Sequence, residues 1–538
     1  MTDREDESAA PTAAPPRSTG PVIELMVDGR QVQVPDDGST LLDVLRDGLG
    51  LRSAKDGCSP QGQCGCCTVL VDGAPRVACV TPARRVAGRS ITTLDGLPPE
   101  ITDAWADAFA ATGGSQCGFC TPGIIVRLEG LRAKGVPADD AASVERALQA
   151  HLCRCTGWQT VVEAYAAVGD SSVAVRLAGR DAGGAATRAA LEGGAPQVVG
   201  PDVALGRAGF AADTAPADAL VAVPDGAGGW SVGESLAEAR RQSGKVQGRR
   251  TTAESVPPIA VPTGDWALTL QTSWVEPAYL ETDAAWCEPG GEPSTPLANG
   301  GAFGGKVASG APAAARALAD RLGRTVVVLL SREDVVRLGP KRPPLAAGMR
   351  ADGSGVVHVA RTPGVVERLH AAAPDLEVVE VDVAGPPTSV AIRGAGWAEA
   401  AAMLAVVSPG PIEVRAPGGG VAWASVGDDG SVRVRVDAGS PLDEVVLRSY
   451  VIGAAHMAIG WVTSEALSVD AAGVVHDLTI RSFGVLRAVD TPPIAVEIEP
   501  SDREPVNGSD AVFAAVAAAV WRHQGVGPVW PSGVALRH

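Results

Sequence analysis

Residues 58–67 read CSPQGQCGCC, four cysteines in ten residues threaded with Ser, Pro, Gln and Gly. Thiols this dense are bridged as disulfides, hold zinc or ligate an iron–sulfur cluster, and each choice fixes the loop around them. The rest of the chain weighs against the first. The opening stretch, MTDREDESAAPTAAPPRSTG, has no positively charged start followed by an apolar run, so residues 1–20 are expected to be a disordered tail, not an export signal. The chain is accordingly expected to be cytoplasmic, where ten cysteines point to metal or redox chemistry and not to structural disulfides.

Charge and hydropathy exclude two further classes of partner. The net charge is −17, from 45 basic and 62 acidic residues, with no basic block, so a phosphate backbone is not an expected ligand. No stretch reaches about 18 uninterrupted apolar residues, so no membrane span is expected. A chain of 538 residues that is 46% hydrophobic has room for several cored domains of about 100–200 residues each.

Local patterns divide it. VIELMV and QVQVP alternate around Asp28-Gly29, a hairpin signature, and Thr40 caps a helical LLDVLRDGL. After the cysteine loop, TVLVDGAPRVACV turns again at Asp72-Gly73 and SITTLDGL reads as a last strand, giving a small α+β domain over 21–97. From 98 to 172 the period becomes helical in four short segments, with cysteine pairs Cys117/Cys120 and Cys153/Cys155 near helix ends. Residues 173–200, rich in Ala and Gly, read as a linker. Residues 201–538 mix Val-rich strands, Ala-rich helices and turns such as Asp352-Gly353 and Asp429-Gly430.

The first four-cysteine set, Cys58, Cys64, Cys67 and Cys79, is spaced close to the plant-type ferredoxin pattern, one residue longer in its first gap. Gly62 and Gly65 let backbone N–H groups approach the sulfurs, and Cys66, between two ligands, is the spare. The second set combines C-x2-C (117–120) with C-x-C (153–155). Two zinc sites are the bland alternative that spacing alone leaves open.

GCSPQGQCGCCTVLVDG, then QCGFCTPG and HLCRCTGWQ, in this order through residues 21–170, resemble the iron–sulfur part of the molybdenum hydroxylases, which include xanthine dehydrogenases, aldehyde oxidoreductases and aerobic carbon monoxide dehydrogenases. The resemblance implies two [2Fe–2S] clusters, one on Cys58, Cys64, Cys67 and Cys79, the other on Cys117, Cys120, Cys153 and Cys155. It implies an α+β multidomain chain: a β-grasp ferredoxin-like domain, a four-helix [2Fe–2S] domain and a truncated α/β molybdenum-hydroxylase-like domain. It also implies a molybdopterin near the helical-domain cluster on the side of Gln116, and outward transfer to a flavoprotein subunit, with a full molybdenum subunit as a second partner.

Further segments are similar to the family's molybdenum domain. GGAFGGK (300–306) is like its glycine-rich loop, placing Gly300, Gly301, Phe303, Gly304 and Gly305 at the cofactor, and AIRGAGWAEA (391–400) is like its metal-side loop, adding Arg393 and Gly394. Two departures stand beside these matches. The domain is much shorter than the family's and lacks its pterin-gripping loops. Where the family carries a catalytic glutamate before an Ala-rich helix, this chain has VNGSDAVFAAVAAAVW, with Asp510 the nearest carboxylate and the candidate base. The expected function is single-electron transfer through two clusters between a pterin site, on this chain or a partner, and an acceptor. The alternatives are a C-terminal region that is a cofactor-free docking scaffold, and a self-sufficient hydroxylase of aldehydes or N-heterocycles.

Overall fold

A computed structural model describes residues 21–244 and 254–536; the tail expected at 1–20 lies outside the described residues. The chain is an α+β assembly in three parts. In the first, β1 (Val22–Val27) and β2 (Arg30–Pro35) form the expected hairpin, with Asp28 and Gly29 at positive φ. Thr40 closes a capping box with Asp43 at the start of α1 (Leu41–Asp43), which continues as a wider turn, Val44–Gly48. β3 (Thr68–Val71), β4 (Ala74–Val77) and β5 (Ser90–Thr92) complete a five-stranded sheet in the order β2-β1-β5-β3-β4. Its core packs Leu25, Leu41, Leu45, Val69 and Ile91 against Cys67 and Cys79.

The second part is α2 (Pro99–Thr112), α3 (Thr121–Arg132), α4 (Ala141–Ala147) and α5 (Gln159–Ala167), matching the four helical segments read from the sequence. α3 begins directly after Cys120 with Pro122 in its first turn, where the missing N–H costs nothing. α3 also packs on β3, and a Cβ at Gly123 would meet the carbonyl of Cys66 at 2.8 Å. Only glycine lets the helix sit this close to the first cysteine loop.

The segment 173–200, read as a linker, is structured instead. α6 (Ser172–Ala178) and α7 (Ala182–Gly193) cross it, and α7 buries Arg188 and Glu192. Alanine and glycine there allow close packing on the third part, so composition that suggested looseness serves contact.

Among the described residues the third part holds three sheets. Val326–Leu329 joins Leu220–Pro224 and Ala284–Cys287 in one; Leu345–Met349 joins Gly355–Ala360 and Leu268–Thr272 in the second; Val421–Val426 and Val432–Asp437 centre the third. Helix Ser509–His523 lies between that last sheet and helix Glu444–Thr463. Glu444–Thr463 is long and apolar enough to cross a membrane, and 89% of its apolar window is buried inside the protein. It is a core helix: its Gly453 comes against the carbonyl of Cys155.

Candidate functional site: two cysteine sets and the loop that caps them

The eight cysteines predicted as ligands form two groups. Cys58 lies in hydrogen-bond contact with Cys64 and Cys79, and Cys79 in turn with Cys67. Cys153 lies against Cys120 and Cys155, and the sulfurs of Cys155 and Cys117 are 3.7 Å apart. All are buried except Cys117, which is half-buried. Thiols from Cys64 and Cys79 hold Cys58 well below the ordinary thiol range, and Cys120 and Cys155 do the same for Cys153. The thiols that donate are pushed up: Cys64 and Cys79 first by Cys58, Cys120 by Cys153, and Cys155 by Cys117. Four enclosed thiols in mutual contact ionise together only with cations among them, which is the chemistry of a metal centre.

The surroundings fit a cluster. The amide of Gln63 donates to Cys58 Sγ at 3.3 Å, that of Cys79 to Cys67 Sγ at 3.4 Å, and Thr156 Oγ1 lies 3.2 Å from Cys153 Sγ. Gly65 has φ +77° and a side chain there would collide with the His151 ring, so the loop closes around sulfur only with glycine at this position. Among the described residues no three His, Cys, Asp or Glu side chains are disposed to hold a single metal ion. A two-iron cluster asks for a wider arrangement, two thiolates to each iron. Cys66, fully buried, turns its sulfur to its own loop, 4.0 Å from the Cys64 carbonyl. The two sets are joined by a hydrogen bond from Leu152 N, next to Cys153, to the carbonyl of Cys64 at 3.0 Å.

The third part of the chain clamps both sets. Gln61 donates to the carbonyl of Leu478 and accepts from Ile480 N, while Arg481 binds the carbonyl of Gln63. Arg154, between Cys153 and Cys155, makes a two-pronged buried pair with Glu465 at 2.6 and 2.8 Å and donates to the carbonyl of Pro277. Gln116 does not face open space: its amide bonds the carbonyl of Cys155 and Ser449 Oγ, both at 3.0 Å.

The residues expected around a pterin are brought together, but against protein. Gly301 lies on the second set; a Cβ there would be 3.0 Å from Cys117 Sγ and 3.4 Å from Cys155 Sγ. A Cβ at Gly300 would run into Gln197, whose amide accepts from Tyr450 Oη at 2.6 Å and donates to Ala189 O. Gly305 packs on the Tyr279 ring and Gly304 on the backbone at Ala391. Arg393 lies 4.8 Å over the Phe303 ring and binds Glu192 O, Ser509 Oγ and, at 3.1 Å, Asp510 Oδ1. Gly394, at φ +68°, turns the chain beside Ala398. The carboxylate of Glu192 receives the amides of Gly508 and Ser509 at the start of helix Ser509–His523, and Arg188 as well. An acidic group at a helix N-terminus is favourable, and here the chain's own side chain takes that place.

Glu192 and Gln197, from the segment read as a linker, thus occupy the space beside Arg393 and Gly300. The cavity against the second set, lined by Cys117, Cys120, Cys155, Gly301, Glu281 and Lys306, encloses only about 10 Å³. That is less room than a drug-sized ligand uses on its own, about 300–1,000 Å³. The residues present fit two [2Fe–2S] clusters and do not fit a molybdopterin. Sequence reasoning missed Glu192 and Gln197 because an Arg188/Glu192 pair in an Ala-rich helix has the spacing of a solvent-exposed ion pair. It missed Glu281 and Glu465 because single charges carry no spacing signature, and Lys306 because GGAFGGK was read for its glycines and Phe303.

Comparisons with known proteins agree with this geometry. Residues 25–85 match the 2Fe-2S iron-sulfur cluster binding domain and residues 93–166 the [2Fe-2S] binding domain. Over 137 residues the chain is 39% identical to a probable xanthine dehydrogenase subunit of Bacillus subtilis, a match that covers 25% of this chain and 78% of that protein. Over 143 residues it is 41% identical to the nicotine 6-hydroxylase small subunit of Paenarthrobacter nicotinovorans, 26% of this chain and 86% of that one. The aldehyde oxidoreductase structure from Desulfovibrio gigas superposes with a TM-score of 0.68 at 16% identity, covering 93% of this chain and 97% of that chain. That likeness extends the shared fold beyond the iron–sulfur part.

Proposed function

The chain belongs to the molybdenum hydroxylase family and binds two [2Fe–2S] clusters as an oxidoreductase component, and from that premise we propose that it is an electron-transfer subunit whose C-terminal region holds no pterin. Cys58, Cys64, Cys67 and Cys79 ligate one cluster, and Cys117, Cys120, Cys153 and Cys155 the other. The observation that carries this reading is the route between the sets. A 3.0 Å hydrogen bond links the backbone of Cys64 to that of Leu152, beside Cys153, so an electron crosses from ligand to ligand without leaving the protein. Glu192 and Gln197 support the second half by packing against Arg393 and Gly300, and Asp510 is held by Arg393.

Electrons enter at the second set, where Cys117 is the half-buried ligand, from a full molybdenum subunit. They leave from the first set to a flavoprotein. The test is anaerobic stopped-flow reduction of the isolated chain by methyl viologen radical, alongside turnover assays with aldehydes and N-heterocycles. The proposal expects rapid bleaching of both clusters and no substrate turnover. Oxidation of an aldehyde or N-heterocycle by the isolated chain would overturn it.

A further inference from the structure

The glycine-rich loop 300–306 ends in a residue that electron transfer as described does not use. Lys306 is buried, and its ammonium donates to Glu281 Oε2 at 2.7 Å and to the carbonyl of Pro296 at 2.7 Å, 5.4 Å from the Tyr279 ring centroid. Glu281 is buried too, and its other oxygen, Oε1, has no hydrogen-bond partner. Both side chains line the same cavity as Cys117, Cys120 and Cys155. Gly301, five residues before Lys306, is the point at which the loop touches Cys117 and Cys155, so loop and cysteines hold one another in place.

Other buried charges near this set differ. Both oxygens of Glu465 meet Arg154, and the Arg393 guanidinium is shared among Asp510, Ser509 and a carbonyl. Those pairs are closed on themselves. The Lys306–Glu281 pair leaves a buried carboxylate oxygen without a partner, and both side chains line the cavity. A [2Fe–2S] cluster gains a negative charge on reduction, and within a water-poor interior that charge responds to every fixed charge across the cavity.

We infer that Lys306 and Glu281 are an electrostatic pair that sets the reduction potential of the second cluster, Lys306 raising it and Glu281 lowering it, while leaving the first cluster untouched. Neither residue ligates iron; both act as positioning residues for the transferred electron. The inference rests on the assignment of Cys117, Cys120, Cys153 and Cys155 to that cluster.

The test is an EPR-monitored redox titration of the full chain carrying Lys306→Met, Glu281→Gln or both, with iron content measured for each. The expected result is a lower midpoint of one cluster in Lys306→Met, a higher midpoint of the same cluster in Glu281→Gln, and a value near the parent's in the double variant. The other cluster's midpoint stays where it was and reports that each variant has folded. Unchanged midpoints, or shifts of the same sign in both single variants, would overturn the inference. A chain with no reducible [2Fe–2S] signal even without substitution would overturn the cluster assignment instead, so the two failures are separable.

Discussion

Replacing Arg154 with methionine removes the most fully enclosed ion pair between the iron–sulfur and C-terminal parts. Its two guanidinium nitrogens lie 2.6 and 2.8 Å from the two oxygens of Glu465, with side chains only 5% and 1% exposed, and Nε holds the carbonyl of Pro277 at 2.9 Å. Breaking a buried pair by deleting one partner leaves a carboxylate without water or its direct partner, at a cost of about 3–5 kcal/mol. Replacing both partners by apolar residues of similar volume costs far less, because no charge is then stranded. Anaerobic urea titrations of Arg154→Met, Glu465→Met and the double variant, followed by far-ultraviolet circular dichroism, form the cycle. Each single variant is expected to lose about 3–5 kcal/mol and the double variant to recover most of it. A single-variant loss below about 1 kcal/mol, the range of a solvated pair, would refute the reasoning, as would a double variant that costs the sum of the singles.

The other predictions are local. His456 and His151 are buried, and loss of hydration drives their folded values down to about 4 and about 3 from an ordinary 6.5, so the unfolded chain binds more protons. Stability should therefore be full above about pH 6.5 and fall as the pH drops toward 4, and His456→Gln should flatten that slope in urea titrations at stepped pH. Cys66→Ala should leave iron content and both EPR signals intact, whereas Cys79→Ser should remove one signal. Gly301→Ala, which puts a methyl 3.0 Å from Cys117 Sγ at φ +80°, should broaden or weaken one signal and spare the other. Asp510→Asn, at a side chain one-third exposed, should change stability by no more than about 1 kcal/mol and leave both cluster signals as they were.

What the sequence disclosed and what it hid follow from how far apart the interacting residues lie. Hairpins at Asp28-Gly29 and Asp72-Gly73, the Thr40 cap and the four short helices are set by neighbours within a few positions, and the structure carries each of them. The cysteine sets were readable because ligand spacing is itself local, even though Cys117 and Cys155 meet across 38 positions. The plug was not. Glu192 reaches Ser509 across 317 positions and Gln197 reaches Tyr450 across 253, and neither residue type announces burial. Segment 173–200 looked loose because Ala and Gly suggest a flexible strand of chain, when their small size instead allows α7 to pack. GGAFGGK was legible as a close-approach loop, but which surface it approaches is a tertiary fact. Here it is the second cysteine set.

The most direct test of the whole account is iron and molybdenum per chain on anaerobically purified protein, with EPR after dithionite reduction. The account predicts two [2Fe–2S] clusters, about four irons per chain, with two distinguishable signals and no stoichiometric molybdenum. Zinc in place of iron with no reducible signal would contradict the cluster assignment, and molybdenum near one per chain would contradict a C-terminal region that holds no pterin.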